Sequence, residues 1–169
     1  MSSIASILIM NKNSPSKFKL FLHIKEVWKM TVGVQSFFVN LPVKDLTKSI
    51  AFFKALGFDV MEQFTDNKGA SIEISDTIFA MLLTEEFFAT FTHQEITDTS
   101  KENEVIIAFQ VESKDAVDEL VNKAIENGAE EKTTSLSEEE EAMMYYRRIK
   151  DLDGHLWEIM HMDMSAMRN

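Results

Sequence analysis

Asp151-Leu152-Asp153-Gly154-His155-Leu156-Trp157-Glu158-Ile159 reads as a tight turn running into a strand. Asp side chains fold back onto nearby backbone N–H groups, and glycine supplies the positive φ that such a turn needs. Met143 to Ile149 before it and His155 to Met160 after it are rich in aromatic and β-branched residues, so the whole predicts a hairpin. Alternation then puts Trp157 and Ile159 on one face of the second strand, with Leu156, Glu158 and Met160 on the other. Glu158 is a mid-strand carboxylate among apolar neighbours, which is costly unless it is paired, protonated or used. Pairing with Arg147 or Arg148 across the hairpin is the plain account; a functional carboxylate is the other.

Upstream, this hairpin closes the second copy of a pattern. Val34 to Val43 alternates as a strand, and Pro42 brings it to an end. Asp45 caps a predicted helix whose Leu46, Ile50, Phe53 and Leu56 follow helical spacing up to Gly57. Strands are then expected at Phe58–Phe64, Ala70–Ile74 and Thr77–Thr84. The order β-α-β-β-β returns in Glu104–Val111, in a Ser113-capped helix with Val117, Leu120, Val121 and Ala124, and in three strands. Those are expected at Lys132–Ser135, Met143–Ile149 and His155–Met160. Leu46, Ile50 and Gly57 fall onto Val117, Val121 and Gly128 at one common offset, so the chain carries an internal repeat. The linker, residues 85–103, contains Phe87, Phe88 and Phe91, either core packing or a flap over a cavity. Ser137 to Glu141 is an acidic run of solvated-loop type.

The 169 residues, 45% hydrophobic and 27% charged, suit one globular domain or two small fused modules. With no cysteine, disulfides and thiolate metal sites are excluded, which fits a reducing cytoplasm. A net charge of −11 argues against nucleic acid and anionic membrane surfaces as partners. No apolar run reaches the roughly 20 residues that span a bilayer. Residues 1–29 differ in character, with five lysines against the single acid Glu26. Lys25-Glu26-Val27 can be encoded by a bacterial ribosome-binding sequence just before Met30. Residues 1–29 are therefore read either as a translated leader, with Met30 the true start of a 30–169 domain, or as an arm packed through residues such as Phe18, Phe21 and Trp28.

Two segments carry a family resemblance. Phe38-Val39-Asn40-Leu41-Pro42-Val43-Lys44-Asp45-Leu46-x-x-Ser49-x-x-Phe52-Phe53-x-x-Leu56-Gly57 opens the repeat, and the Asp-Leu-Asp-Gly turn with its strand to Glu158 closes it. Together they resemble the vicinal oxygen chelate superfamily of glyoxalase I, bleomycin-resistance proteins and extradiol dioxygenases, over Gln35 to about Asp163. The resemblance implies an α+β fold of two βαβββ modules, about 34–84 and 104–163. Their sheets would form half-barrels, with helices on the outer face and a cavity in the concave one. Metal-dependent members place one ligand on the first and last strand of each module. The matching positions here are Phe38, a residue within Thr77–Leu83, Ile106 and Glu158, and only the last is a donor. His93, His155 and His161, the domain's histidines, match none of them. Divalent ions need three or four protein donors, so neither a metal nor another cofactor is expected.

The resemblance thus points to a cavity lined by Ser36, Phe38, Asn40, Ile106, Ala108, Gln110 and Glu158. An apolar bowl with a few polar groups is the usual form of a small-molecule site. The leading expectation is a metal-independent binding protein of bleomycin-resistance type, taking a small cationic or amphipathic ligand. The alternative is a glyoxalase-like lyase or isomerase in which Glu158 is catalytic, as general acid or base, or is a remnant metal ligand. A scaffold without ligand is the third possibility. Exposed sheet edges further predict a homodimer.

Overall fold

A computed structural model describes residues 33–132 and 144–162. The segment before Gly33, the 133–143 stretch with its acidic run and the last seven residues lie outside them. The expected leader or arm and the acidic run therefore fall beyond the described residues.

Strand β1 (Phe37–Val43) leads into helix α1 (Leu46–Leu56), then β2 (Asp59–Val60), β3 (Gly69–Ser75) and β4 (Ile78–Thr84). Helix α2 (Glu85–Thr92) follows, and the pattern repeats as β5 (Ile106–Gln110), α3 (Lys114–Glu126), β6 (Glu130–Lys132), β7 (Met144–Lys150) and β8 (Leu156–Met162). Each module is a four-stranded mixed sheet, β1-β4-β3-β2 and β5-β8-β7-β6, with its first and last strands parallel. The α+β doublet expected from the repeat is the fold.

Local chemistry sets the helix ends. The Asp45 carboxylate accepts from the Lys48 N–H, and Ser113 Oγ accepts from the Ala116 N–H, satisfying donors that a helix start leaves open. Gly57 closes α1 at φ 99°, a left-handed turn that only glycine adopts without strain. The strand expected over Phe58–Phe64 is shorter: Met61 donates to the Ser71 carbonyl, after which Glu62–Phe64 coil into a 3₁₀ turn with Phe64 exposed. The linker is not plain coil either. Thr84 caps α2, and Glu85 and Glu86 in its first turn suit the positive end of the helix. In the second module the corresponding strand is described at Glu130–Lys132, and the rest of its expected range, 133–135, lies outside the described residues.

Both helices press onto the same side of their sheets and share one core. Val39, Leu41, Ile72, Ala80 and Leu82 of the first module join Val117, Val121, Ile149, Trp157 and Ile159 of the second. Phe53 meets Trp157 edge-on at 5.5 Å, and Phe58 meets Phe109 at 6.3 Å. Burial of each such side chain contributes about 1.5–3 kcal/mol, so the modules cohere largely through apolar contact.

Polar clamps from the 151–155 turn complete the joint. The Asp153 carboxylate accepts from the Lys44 N–H at 2.8 Å and from the Ser49 hydroxyl at 2.6 Å, both at the β1–α1 corner. Asp151 accepts from the Asp153 and His155 N–H groups and from the Trp157 indole. Gly154 has φ 89°, and a Cβ there would lie 2.7 Å from Thr99 Oγ1, so no larger residue fits. His155, only 1% exposed, spans the modules: its ring nitrogens contact Glu104 Oε1 at 2.5 Å and the Pro42 carbonyl at 2.8 Å.

Both of those partners are acceptors, so both ring nitrogens must carry hydrogens, and the ring is an imidazolium. Burial works against that charge. The nearby Asp151 carboxyl and the bonds to Glu104 and Pro42 outweigh it and hold the His155 pKa above its ordinary value. The unfolded ring titrates at about 6.5. The stabilisation is therefore complete below that pH and is lost as pH rises through the folded value. Burial also pushes the Asp151 carboxyl up, a loss of the same sign that begins near pH 4. We expect the melting temperature to fall as the pH rises above about 6.5, with a flatter slope in His155→Gln. Equal slopes in the two proteins would show that His155 is neutral in the native state.

Candidate functional site

Strand alternation divides each sheet into a core face, on which α1 and α3 pack, and an opposite inner face. On β8, Trp157 and Ile159 are 3% and 1% exposed against the helices, so Glu158 points the other way. On β5 the same rule turns Ile106, Ala108 and Gln110 to Glu158's side, and the register sets Ala108 directly beside Glu158. In the first module, Phe38 and Asn40 lie opposite core residues Val39 and Leu41. Ser36 is exposed just before β1.

Glu158 is not a lone carboxylate. Arg148, its register partner on β7, donates Nε at 2.6 Å and Nη2 at 2.5 Å to Glu158 Oε2. The guanidinium also lies 4.9 Å from the centre of the Tyr146 ring. Arg147, the other candidate partner, points to the helix side and binds Asp118, Asn122 and Glu131. One residue of register separates the two roles.

The seven residues expected to line one cavity are only partly brought together. Ala108 and Glu158 are neighbours. Gln110 reaches the Met162 carbonyl at 3.2 Å. Phe38 stacks on Phe79 at 4.9 Å, yet remains 53% exposed, and Ile106 is 50% exposed. Ser71, also opposite the core, is buried with a hydroxyl that has no partner among the described residues. The larger clefts lie mostly elsewhere, although Asn40 lines one of them. One of about 410 Å³ runs between Lys44, Glu85, Glu95, Asp98 and His155. Another of about 310 Å³ holds Asn40, Phe88, Glu104 and Val105. Phe87 and Phe91 meet edge to face on α2, with Phe91 exposed.

The donor set does not fit a divalent ion. β4 offers no His, Asp or Glu, Phe38 and Ile106 offer none, and a guanidinium already occupies Glu158 Oε2. Among the described residues no three His, Cys, Asp or Glu side chains gather at a common point. Sequence reasoning named Arg148 only as one of two choices, and it missed Tyr146. The signal was there: an aromatic residue two places before an arginine on one strand shares its face.

A helix-backed pair of four-stranded βαβββ sheets, with inner faces turned to ligand, defines a known class. Residues 35–159 match the Glyoxalase/Bleomycin resistance protein/Dioxygenase superfamily, and the chain belongs to it. No curated protein matches the sequence. A hypothetical protein from S. aureus is 30% identical, with 80% of this chain and 98% of that one covered and a TM-score of 0.62. A glyoxalase/bleomycin resistance protein/dioxygenase family enzyme from Burkholderia phytofirmans has TM-score 0.63 at 19% identity, covering 75% and 97%. The fosfomycin resistance protein FosX of Listeria monocytogenes has TM-score 0.53 at 24% identity, covering 79% and 94%. The last two share the fold alone.

The Arg148–Glu158 pair is half sheltered, with side chains 29% and 10% exposed. Removing one partner of a buried pair strands the other charge. Arg148→Met is expected to cost about 3 kcal/mol of unfolding free energy. Glu158→Gln, which keeps an acceptor oxygen for the guanidinium, should cost about 1 kcal/mol. Urea unfolding of both variants checks this; no measurable loss in either would mean that the ion pair itself contributes nothing.

Proposed function

We propose that this protein binds a small molecule without a metal ion, on the inner faces of its two sheets. One observation carries the reading. Three of the four strand positions where metal-dependent relatives hold ligands lack a donor, and at the fourth Glu158 is already paired with Arg148. Phe38, Ile106 and Ala108 supply apolar surface, while Asn40, Gln110 and the Arg148–Glu158 pair supply polar groups, so the ligand is amphipathic. A carboxylate already held by a guanidinium is poorly placed to take a proton, which counts against Glu158 as a general base.

A second copy of the chain would close the site. Phe38 and Ile106 are about half exposed, and large apolar residues left open on a sheet face are usually covered by a partner. Residues 30–169 are sufficient for this role, and the absence of cysteine supports a reducing cytoplasm as its setting.

Elemental analysis of protein purified without a histidine tag should find no stoichiometric zinc, nickel, iron or manganese. A near-equimolar content of any of these would overturn the metal-free reading and return the lyase alternative. Light scattering at micromolar concentration should give the mass of two chains, both for the full chain and for one beginning at Met30. A monomer would contradict the shared site, and an insoluble shortened chain would make residues 1–29 structural.

A further inference from the structure

Resting on that metal-free reading, we infer that the ligand is an oxyanion with an apolar body, its carboxylate or phosphoryl group seated on Arg148. The register sets out the charges on the inner face of the second sheet. Ala108, Glu158, Arg148 and Lys132 stand side by side across β5, β8, β7 and β6. The next row is Ile106, Leu156, Lys150 and Glu130. Three cations therefore meet two carboxylates there, in a chain whose net charge is −11. Among the described residues these two rows carry one more positive than negative charge.

The hydrogen bonds single out Arg148 among the three. Lys150 Nζ is spent on the Thr99 carbonyl at 2.6 Å, and Lys132 is paired with Glu130. Arg148 places Nε and Nη2 on a single oxygen of Glu158, while Tyr146 lies against its plane. Its Nη1 hydrogens have no partner among the described residues. The guanidinium is thus held at one edge by Glu158 and lies near the Tyr146 ring, with Nη1 donors that no described residue takes up. That is the arrangement in which arginine binds planar or tetrahedral oxyanions. Lys132, next along the row, adds a second positive charge at longer range.

A cationic ligand would find the opposite. Glu158 is 10% exposed, and one of its oxygens already accepts two N–H bonds. Bringing a further cation there means displacing or crowding a guanidinium. Arg148 also stands where metal-dependent relatives carry a divalent ion on the closing glutamate. It presents positive charge to a ligand oxygen but leaves that oxygen bound by hydrogen bonds alone. Ile106 and Ala108, at the β5 end of the two rows, give the apolar part of the ligand its surface.

The test uses four probes of matched shape: benzoate, phenylphosphonate, benzylamine and benzyl alcohol. Each is titrated calorimetrically and by thermal shift against the full chain in the presence of a chelator. Benzoate or phenylphosphonate should bind and raise the melting temperature, and which of them binds tighter separates a carboxylate from a phosphoryl ligand. Arg148→Lys should weaken that binding at least tenfold, and Lys132→Met several-fold with a shallower salt dependence. Because single removal of Arg148 strands Glu158, the double variant Arg148→Met/Glu158→Leu is made as well. It should remain folded by circular dichroism and lose anion binding. Preferential binding of benzylamine without metal would overturn the anion inference and leave the small-molecule reading standing. So would anion binding that survives in both Arg148 variants. Failure of all four probes also counts against the inference, whereas anion binding only after addition of manganese or zinc would overturn the metal-free reading as well.

Discussion

The Asp153 carboxylate, shared between the Lys44 amide and the Ser49 hydroxyl, is the contact on which the arrangement of the two modules rests. A buried carboxylate is tolerated only where its lone pairs are filled. Here the donors come from the far end of the chain's first module, so the second hairpin is satisfied only when docked on the β1–α1 corner. Asp151 holds the turn from within, and Thr99 fills the space that Gly154 leaves, donating to the Asp153 carbonyl. His155 adds a bridge from Glu104 to the Pro42 carbonyl. The Asp-Leu-Asp-Gly turn is accordingly architectural. Its acids hold the joint, and the strand it launches delivers Glu158.

Once that joint is made, the rest follows from strand periodicity. Trp157 and Ile159 must go under the helices, where Phe53 and Phe109 receive them. Glu158 is then forced to the inner face with Arg148 opposite it. Register makes the adjoining arginines unlike: Arg147 braces α3 through Asp118, and Arg148 turns to the inner face. A single-residue slip would exchange the two and put a charge into the core.

The electrostatics of the inner face support the proposed metal-free reading. A divalent ion requires several convergent anionic or imidazole donors, and such a cluster is stable only with the ion bound. Here Phe38 and Ile106 replace donors with apolar surface, and the remaining carboxylate is neutralised by a covalently attached cation. An internal ion pair needs no exogenous charge for stability, yet it leaves Arg148 Nη1 without a partner among the described residues. In the proposed function the same strand positions serve recognition through hydrogen bonds and apolar contact.

Much of this was legible in the sequence, because periodicity, caps and turn residues are local. The doubled β-α-β-β-β order, the Asp45 and Ser113 caps, Gly57 and the facing of Trp157 against Glu158 follow from neighbours within a few residues. Pairing across the hairpin limited Glu158's partner to Arg147 or Arg148. The choice between them needed the register, which is set by how the turn closes and by which strand residues reach the core. Helix α2 was also missed, since a short helix between repeats has no periodicity long enough to announce it. What only the tertiary structure decided are the contacts between distant segments: Asp153 with Lys44 and Ser49, His155 with Pro42, and the charge row from Glu158 to Lys132. Each joins residues whose proximity arises when two separately patterned modules dock or strands pair, and no local pattern encodes that proximity.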